Sequence, residues 1–459
     1  MPTAQTPHFH DTASGERKAL VPGEGNSVGI YACGPTVYNR IHVGNARPFV
    51  VFSWLKRYLQ AAGYDVTFVV NVTDVNDKIY AAAVQQGVSS TELAAEMTAH
   101  YRSDTDALGL GRPDHEPLVT TTMDAIIDLI AALIEREAAY VVEGDVYFRV
   151  RSDDAYGSLS HRKLDDMNQG EDEDLVGTSR KEDPADFALW KAEKEGEDTA
   201  WDAPWGRGRP GWHIECSAMA EELLGLNFQI HGGGSDLVFP HHENEAAQTR
   251  CGRGQELAQI WMHNGMLEMR GADGASEKMA KSVGNVMLLP DAIEEHGRDT
   301  LLLFFATGHY RQPLVYSPET LADAAARLRR IRELARGLSS GSSPESLRQH
   351  RDAFFAALAE DFNTPQALAA LAAWVAGARE IDGAGSDDLV EMLSVFGLEN
   401  VVTDRGEGPS VEALELLAQR EQARADKDWA TADRIRDELQ ALGWAVRDGA
   451  GGAELVPLS

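Results

Sequence analysis

Between Gly29 and Thr73 the chain switches from a short apolar run to a helical repeat and back to an apolar run. Gly29-Ile30-Tyr31-Ala32 reads as a short buried strand. Residues 46–62 then place Phe49, Phe52, Leu55 and Leu59 at helical spacing. Val66-Thr67-Phe68-Val69-Val70-Asn71-Val72-Thr73 is β-branched and aromatic, a second strand. Strand, helix and strand within about 45 residues make a βαβ unit. Such a unit requires a parallel sheet, and parallel sheets bind ligands at the carboxyl ends of their strands.

The chain has 459 residues, too many for one core. Residues 1–26 are polar, lack the apolar core of a signal peptide and read as a loose N-terminal tail. Residues 78–107 and Met123 to Ala139 carry helical patterns. Residues 140–200 change character, with strand-like pieces and the acidic run 171–174, and read as an insertion. Pattern returns with a helix to Leu224, a strand Phe228 to His231 that ends in Gly232-Gly233-Gly234, and a strand from Ile260 to Met269. After Ser282 the pattern is helical: 317–337, 345–361, 364–379 and 387–397, then a linker at 403–410, a charged helical hairpin at 411–441 and a small hairpin at 442–456. No run approaches the ~20 apolar residues of a membrane helix.

Three cysteines, Cys33, Cys216 and Cys251, are too few and too odd for a disulfide framework and fit a reducing cytoplasm. The formal net charge is −31, from 42 Lys and Arg against 73 Asp and Glu. A polyanion would be repelled over most of such a surface, which excludes general nucleic-acid binding. RNA contact would need a local basic patch. Residues 327–351 offer one, with seven arginines against Glu333 and Glu345.

Five constellations carry chemistry. Cys33, Cys216, His241 and Glu245 together offer thiolate, imidazole and carboxylate, a mixture that suits Zn²⁺. Pro240 suits a helix start, which would put His241 and Glu245 on one face, one turn apart. On spacing alone the plainer alternative stands beside it: two buried small hydrophobes and a polar helix start, with no local Cys-x-x-Cys. His42-Val43-Gly44-Asn45 places donors where a helix begins, either to hold phosphate or simply to cap the helix. Lys278-Met279-Ala280-Lys281-Ser282 can neutralise a triphosphate or be a solvated loop. His231-Gly232-Gly233-Gly234-Ser235-Asp236 suits close approach to a ligand, with Asp236 accepting ribose hydroxyls, or a plain turn. Finally, six histidines (42, 213, 231, 241, 242 and 263) stand at strand ends or turns.

Joined, these pieces resemble one family. His42-Val-Gly-Asn45 is similar to the His-Ile-Gly-His signature of class I aminoacyl-tRNA synthetases. Lys278-Met-Ala-Lys281-Ser282 is similar to their Lys-Met-Ser-Lys-Ser loop, about 235 residues later and in the class I order. The longer blocks resemble the cysteinyl-tRNA synthetases: Cys33-Gly-Pro-Thr-Val-Tyr38, Gly211-Trp-His-Ile-Glu-Cys-Ser-Ala-Met219, His231 to Asp236, Phe239-Pro-His-His-Glu-Asn-Glu245 and Asp361-Phe-Asn-Thr-Pro365. The resemblance covers roughly residues 28–459.

The resemblance implies an α/β protein with a Rossmann-like, doubly wound parallel-sheet catalytic domain at 27–115 and 201–268. An inserted connective subdomain at 116–200 interrupts it. A signature loop and stem-contact region at 269–312, a helical bundle for tRNA at 313–400 and a small anticodon-binding domain at 401–459 would follow. It further implies one Zn²⁺ on Cys33, Cys216, His241 and Glu245, and an amino-acid pocket at Thr36, Thr73, Trp212 and His231. ATP with Mg²⁺ would meet His42, Asn45, Asp236, Lys278 and Lys281, with Lys281 in direct contact. The implied activity is ATP-dependent ligation of L-cysteine to tRNA(Cys) by a cytoplasmic monomer. Two alternatives share parts of this pattern: a paralogue that transfers cysteine to an amino-sugar, and a non-catalytic zinc-stabilised RNA-binding paralogue. Two positions depart from the signatures, Asn45 for the second His and Ala280 for Ser.

Overall fold

The computed structural model describes residues 5–164, 180–270, 276–278, 286–403, 410–449 and 452–457. Its central sheet has four parallel strands: β1 (Ser27–Ala32), β2 (Asp65–Val70), β3 (Phe228–Gly234) and β4 (Ala258–Asn264). Their order is β4-β3-β1-β2. α1 (Val43–Ala61) connects β1 to β2, α2 (Ile214–Leu224) precedes β3, and α3 (Glu243–Arg253) connects β3 to β4. Ile30, Val69, Ile230 and Met262 are all fully buried, as strands covered on both faces require. The chain leaves β1 toward β2 and returns on the opposite side as β3. The topological switch point therefore lies between β1 and β3, where a crevice opens at the carboxyl ends.

The glycine run at 232–234 lies inside β3 rather than beyond it. A Cβ on Gly232 would stand 2.0 Å from the Phe52 ring of α1, and one on Gly233 would stand 2.9 Å from the His242 ring. These two glycines make room for the protein's own rings.

Three further expectations are corrected. The N-terminal segment is no loose tail: His8–His10 and Arg17–Ala19 pair antiparallel, with Phe9 and Asp11 fully buried. Asp11 accepts from the Trp261 amide of β4 at 2.9 Å and pairs with Lys18 at 2.6 Å. The strand expected over 260–269 is two strands in different sheets. β4 ends at Asn264, and Leu267–Arg270 pairs instead with Leu314–Tyr316 and Ser276–Lys278. The break falls at Gly265, where a Cβ would meet the Gln312 backbone at 2.4 Å. The insertion's antiparallel sheet (Ala139–Val142, Asp145–Phe148, Phe187–Ala192, Gly208–Pro210) extends past residue 200, and its acidic run 171–174 lies outside the described residues.

The Asp361-Phe-Asn-Thr-Pro365 block ties this unit together. Buried Asp361 accepts from Tyr310 Oη and Arg311 Nε at 2.9 Å and from the His10 amide at 2.9 Å. Asn363 caps the helix Thr364–Ala378, whose first turn holds Pro365. Neighbouring helices Glu345–Ala359 and Asp387–Val395 complete the expected bundle. Within the arginine run, Arg348 pairs with Glu345 and Arg351 with Glu391, so the basic patch is narrower than its residue count. A second compact unit comprises Arg329–Leu338 and Asn400–Ser459. It packs helices Val411–Ala425 and Trp429–Ala441 and a Trp444–Gly449/Gly452–Pro457 hairpin around Ala413, Ile435 and Leu439. Of the expected 403–410 linker, 404–409 lie outside the described residues.

Phe9→Ala should reduce the free energy of unfolding by about 3–5 kcal/mol, the cost of emptying a buried aromatic site. Urea titration measures this, and an unchanged midpoint would restore the loose-tail reading.

Candidate active site

Cys33 is the first residue past β1, and its N–H donates to the Gly232 carbonyl of β3 at 3.0 Å. That bond places the thiol at the switch point. Gly34 follows because nothing larger fits: a Cβ there would stand 1.8 Å from the Asn71 carbonyl oxygen. Thr36 and Thr73 face each other across a short bridge, with the Val37 amide donating to Thr73 O at 3.1 Å.

The turn Val238–His242 supplies the next donors. The sequence expected a helix from Pro240. The Phe239-Pro240 peptide is instead cis, Phe239 is extended, and α3 starts at Glu243. His241 and Glu245 meet all the same, Nε2 to Oε1 at 3.1 Å. The wide turn also brings in His242, which spacing alone had not marked as a donor. Its Nε2 lies 3.3 Å from Cys33 Sγ. Donor atoms of Cys33, His241, His242 and Glu245 all lie within 4.8 Å of one another, and all four residues are buried. Cys216, in the first turn of α2, is buried and interacts electrostatically with Cys33 and Glu245, but it is not among the four residues whose donor atoms lie within 4.8 Å of one another.

Burial dominates the electrostatics. It lifts the Glu245 carboxyl to about 7 and the Cys216 thiol to about 11, and raises Cys33 well above the usual thiol range. The same desolvation lowers His241 and His242 and brings His231 down to about 3. The close contacts of Glu245 are with imidazoles whose charged form burial disfavours: His231 at 2.8 Å, His241 at 3.1 Å and His242 at 3.9 Å. Protons therefore have to neutralise these buried acids unless a cation does so. Soft sulfur, imidazole and one carboxylate oxygen at close quarters are a mixture of donors that fits a divalent metal.

Outer partners orient the donors. His213 Nδ1 faces His241 Nδ1 at 3.0 Å, and Trp212 stacks on the His241 ring at 4.4 Å between centroids. His263 Nε2 faces His242 Nδ1 at 2.7 Å, and Thr12 Oγ1 meets His263 Nδ1 at 2.7 Å. Thr12 belongs to the N-terminal segment, so the supposed tail reaches the site. His231 stacks on Trp261 at 4.4 Å. Thr73 donates to buried Glu215, the neighbour of Cys216. Of the six histidines, five form this connected set, and His42 stands apart.

His42 caps α1. Its Nδ1 accepts the Asn45 amide at 3.3 Å, while Asn45 Oδ1 accepts the His42 amide at 3.3 Å. The two form a reciprocal capping box, so the capping alternative is realised in the structure. Gly44 keeps the His42 ring in place, since a Cβ would stand 2.9 Å from it. Asp236 is exposed on the turn Ser235–Leu237 just past β3. The Lys278 backbone pairs with Glu268. Its side chain, Ala280 and Lys281 lie outside the described residues.

Residues 19–326 match the class I (C) tRNA synthetase catalytic domain, and residues 407–454 match the cysteinyl-tRNA ligase anticodon binding domain. A cysteine–tRNA ligase of Halorhodospira halophila is 44% identical over 458 residues, covering 96% of this chain and 97% of that protein. A cysteine–tRNA ligase of Streptococcus thermophilus is 42% identical over 445 residues, with 96% and 97% covered. Among solved structures, Mycobacterium tuberculosis methionyl-tRNA synthetase in complex with methionyl-adenylate has a TM-score of 0.60 at 16% identity, covering 82% of this chain and 89% of that one. At that identity the likeness concerns the fold.

His241→Ala and Glu245→Ala should each lower metal retained after dialysis from near one zinc per chain to below about a tenth. Elemental analysis of the purified variants measures this, and full retention in both would remove these residues from the donor set.

Proposed function

The chain belongs to the cysteine–tRNA ligase family of class I aminoacyl-tRNA synthetases, and from that premise we propose how its residues divide the work. The enzyme activates L-cysteine with ATP and transfers it to tRNA(Cys). The cysteine carboxylate attacks the α-phosphorus of ATP, giving cysteinyl-adenylate and pyrophosphate. The 2′-hydroxyl of the terminal tRNA adenosine then attacks the adenylate carbonyl and releases AMP. Neither step needs much acid–base chemistry from the protein; positioning and charge stabilisation dominate.

Cys33, Cys216, His241 and Glu245 would hold one Zn²⁺, with His242 beside them. When bound, zinc supplies a soft contact for the substrate thiolate that a serine hydroxyl matches badly. Thr36, Thr73, Trp212 and His231 shape the amino-acid pocket around that contact. Asp236 accepts from the ATP ribose. His42, Asn45, Lys278 and Lys281, with Mg²⁺ accompanying ATP, offset charge on the phosphates as pyrophosphate departs. With Oδ1 accepting from the His42 amide, Asn45 keeps only its Nδ2 donors for phosphate, and these carry no charge. Its share of the stabilisation is therefore smaller than a histidine's, and more falls to the lysines. The bundle at 313–400 and the domain at 401–459 hold the tRNA; the match over 407–454 favours this over transfer to an amino-sugar, and His42, Lys278 and Lys281 argue against a non-catalytic paralogue. We read the chain as a monomer of the cytoplasm, where its three free thiols stay reduced. Among the described residues no helix is long and apolar enough to cross a membrane.

The observation that carries this reading is the buried cysteine–histidine–glutamate cluster at the switch point. Charging of tRNA(Cys) by the purified protein with ATP and Mg²⁺ should favour cysteine over serine by at least about 10⁴ in kcat/KM. Comparable charging of both would contradict sulfur recognition. Lys281→Ala should slow cysteine-dependent ATP–pyrophosphate exchange by about 10² while leaving the KM for cysteine nearly unchanged, and equal effects on both would count against a transition-state role.

A further inference from the structure

Arg47 sits in the second turn of α1, two residues past Asn45, and is 1% exposed. A buried guanidinium ordinarily faces a carboxylate. This one faces backbone carbonyls instead. Nη1 donates to Gly265 O at 2.5 Å and to Met266 O at 2.9 Å. Nη2 donates to Gln312 O at 2.7 Å, with His309 O and Tyr310 O at 3.3 and 3.4 Å. Burial lowers its pKa only to about 10, so the charge persists at neutral pH.

The carbonyl positions give the contact its meaning. Gly265 and Met266 immediately precede the strand Leu267–Arg270, on which Lys278 is registered opposite Glu268. The segment returns to the same turn of α1 at its other end. The Val43 amide donates to Met287 O at 2.9 Å, and the Leu289 amide donates to Ile41 O at 3.1 Å. Both ends of the lysine-bearing segment are thus fastened at the start of α1. The downstream fastening is backbone to backbone; on the upstream side the hydrogen bonds from α1 come from the Arg47 side chain. The 309–312 turn that Arg47 also grips is held from its far side by Asp361, through Tyr310 and Arg311.

We propose that Arg47 is a positioning residue for ATP activation: it fixes the strand pair that carries Lys278 relative to the His42–Asn45 turn. The inference rests on the proposed role of Lys278 in activation. Arginine suits the task because its planar fork reaches carbonyls on two separate segments at once. A lysine ammonium offers three donors from a single point and cannot span them.

The test uses Arg47→Lys and Arg47→Met in the full-length protein. Arg47→Lys should lower kcat for cysteine-dependent ATP–pyrophosphate exchange by about 10-fold and Arg47→Met by about 100-fold, the scale of an ångström-sized misplacement. KM for cysteine should stay within about twofold, because the sulfur site lies at the end of β1 and not on this anchor. Hydrogen exchange at amides 265–270 should accelerate in both variants while β1 amides stay protected. Trp54→Phe serves as a comparator on the same helix, losing the Trp54 Nε1 bond to Phe396 O at 3.1 Å. It should leave kcat near wild type. Unchanged kcat in both Arg47 variants would overturn the proposal, as would kcat loss matched by a rise in KM for cysteine or by Trp54→Phe. The hydrogen-exchange readout does not require activity. Unchanged exchange at 265–270 in Arg47→Met overturns the anchor even if the functional reading fails on other grounds.

Discussion

A carboxylate with no access to water sets the terms for this site. Glu245 is fully buried, and desolvation lifts its carboxyl to about 7 against the opposing effects of His241 and Cys33. Two thiols beside it are pushed up in the same way, and the surrounding imidazoles are pushed toward neutrality. A cluster of this kind is stable as a set of protonated acids or as a metal-binding set. Proton release and metal binding are then one event, and the soft members of the set decide which metal benefits.

The sheet explains how such a cluster assembles from distant parts of the chain. Cys33 ends β1, Cys216 starts α2, and His241 and Glu245 straddle the turn into α3. All of these connections converge on the β1/β3 switch point because the strands are parallel and in the order β4-β3-β1-β2. The His42 turn leaves the same edge. On the proposed assignments, sulfur recognition and phosphate stabilisation would share one short connection, residues 33–45, and a small, stiff piece of backbone would bring the reacting carboxylate and the α-phosphate together. The capping box between His42 and Asn45 adds to that stiffness.

Much of this was legible in the sequence where the signal was local. The βαβ unit, the bundle helices and the C-terminal hairpin follow from periodicity. The four proposed ligands follow from motif blocks, and none of those blocks depends on knowing the fold. What escaped was non-local. His8-Phe9-His10 is too short to show alternation, and its partners at Trp261 and Asp361 lie hundreds of residues away. A sequence cannot show that Phe52 and His242 fill the space beside Gly232 and Gly233. His242 lacked a helical phase because the turn before α3 is not helical. Arg47 gives no signal in the sequence because its partners are backbone carbonyls, which leave no mark there.

The central claim is that metal held by Cys33, Cys216, His241 and Glu245 reads the substrate's sulfur. X-ray absorption at the zinc edge of the purified protein tests it most directly. Two sulfur scatterers are expected without substrate and three with L-cysteine, while L-serine should leave the spectrum unchanged. A spectrum with no added sulfur in the presence of saturating cysteine would contradict the account.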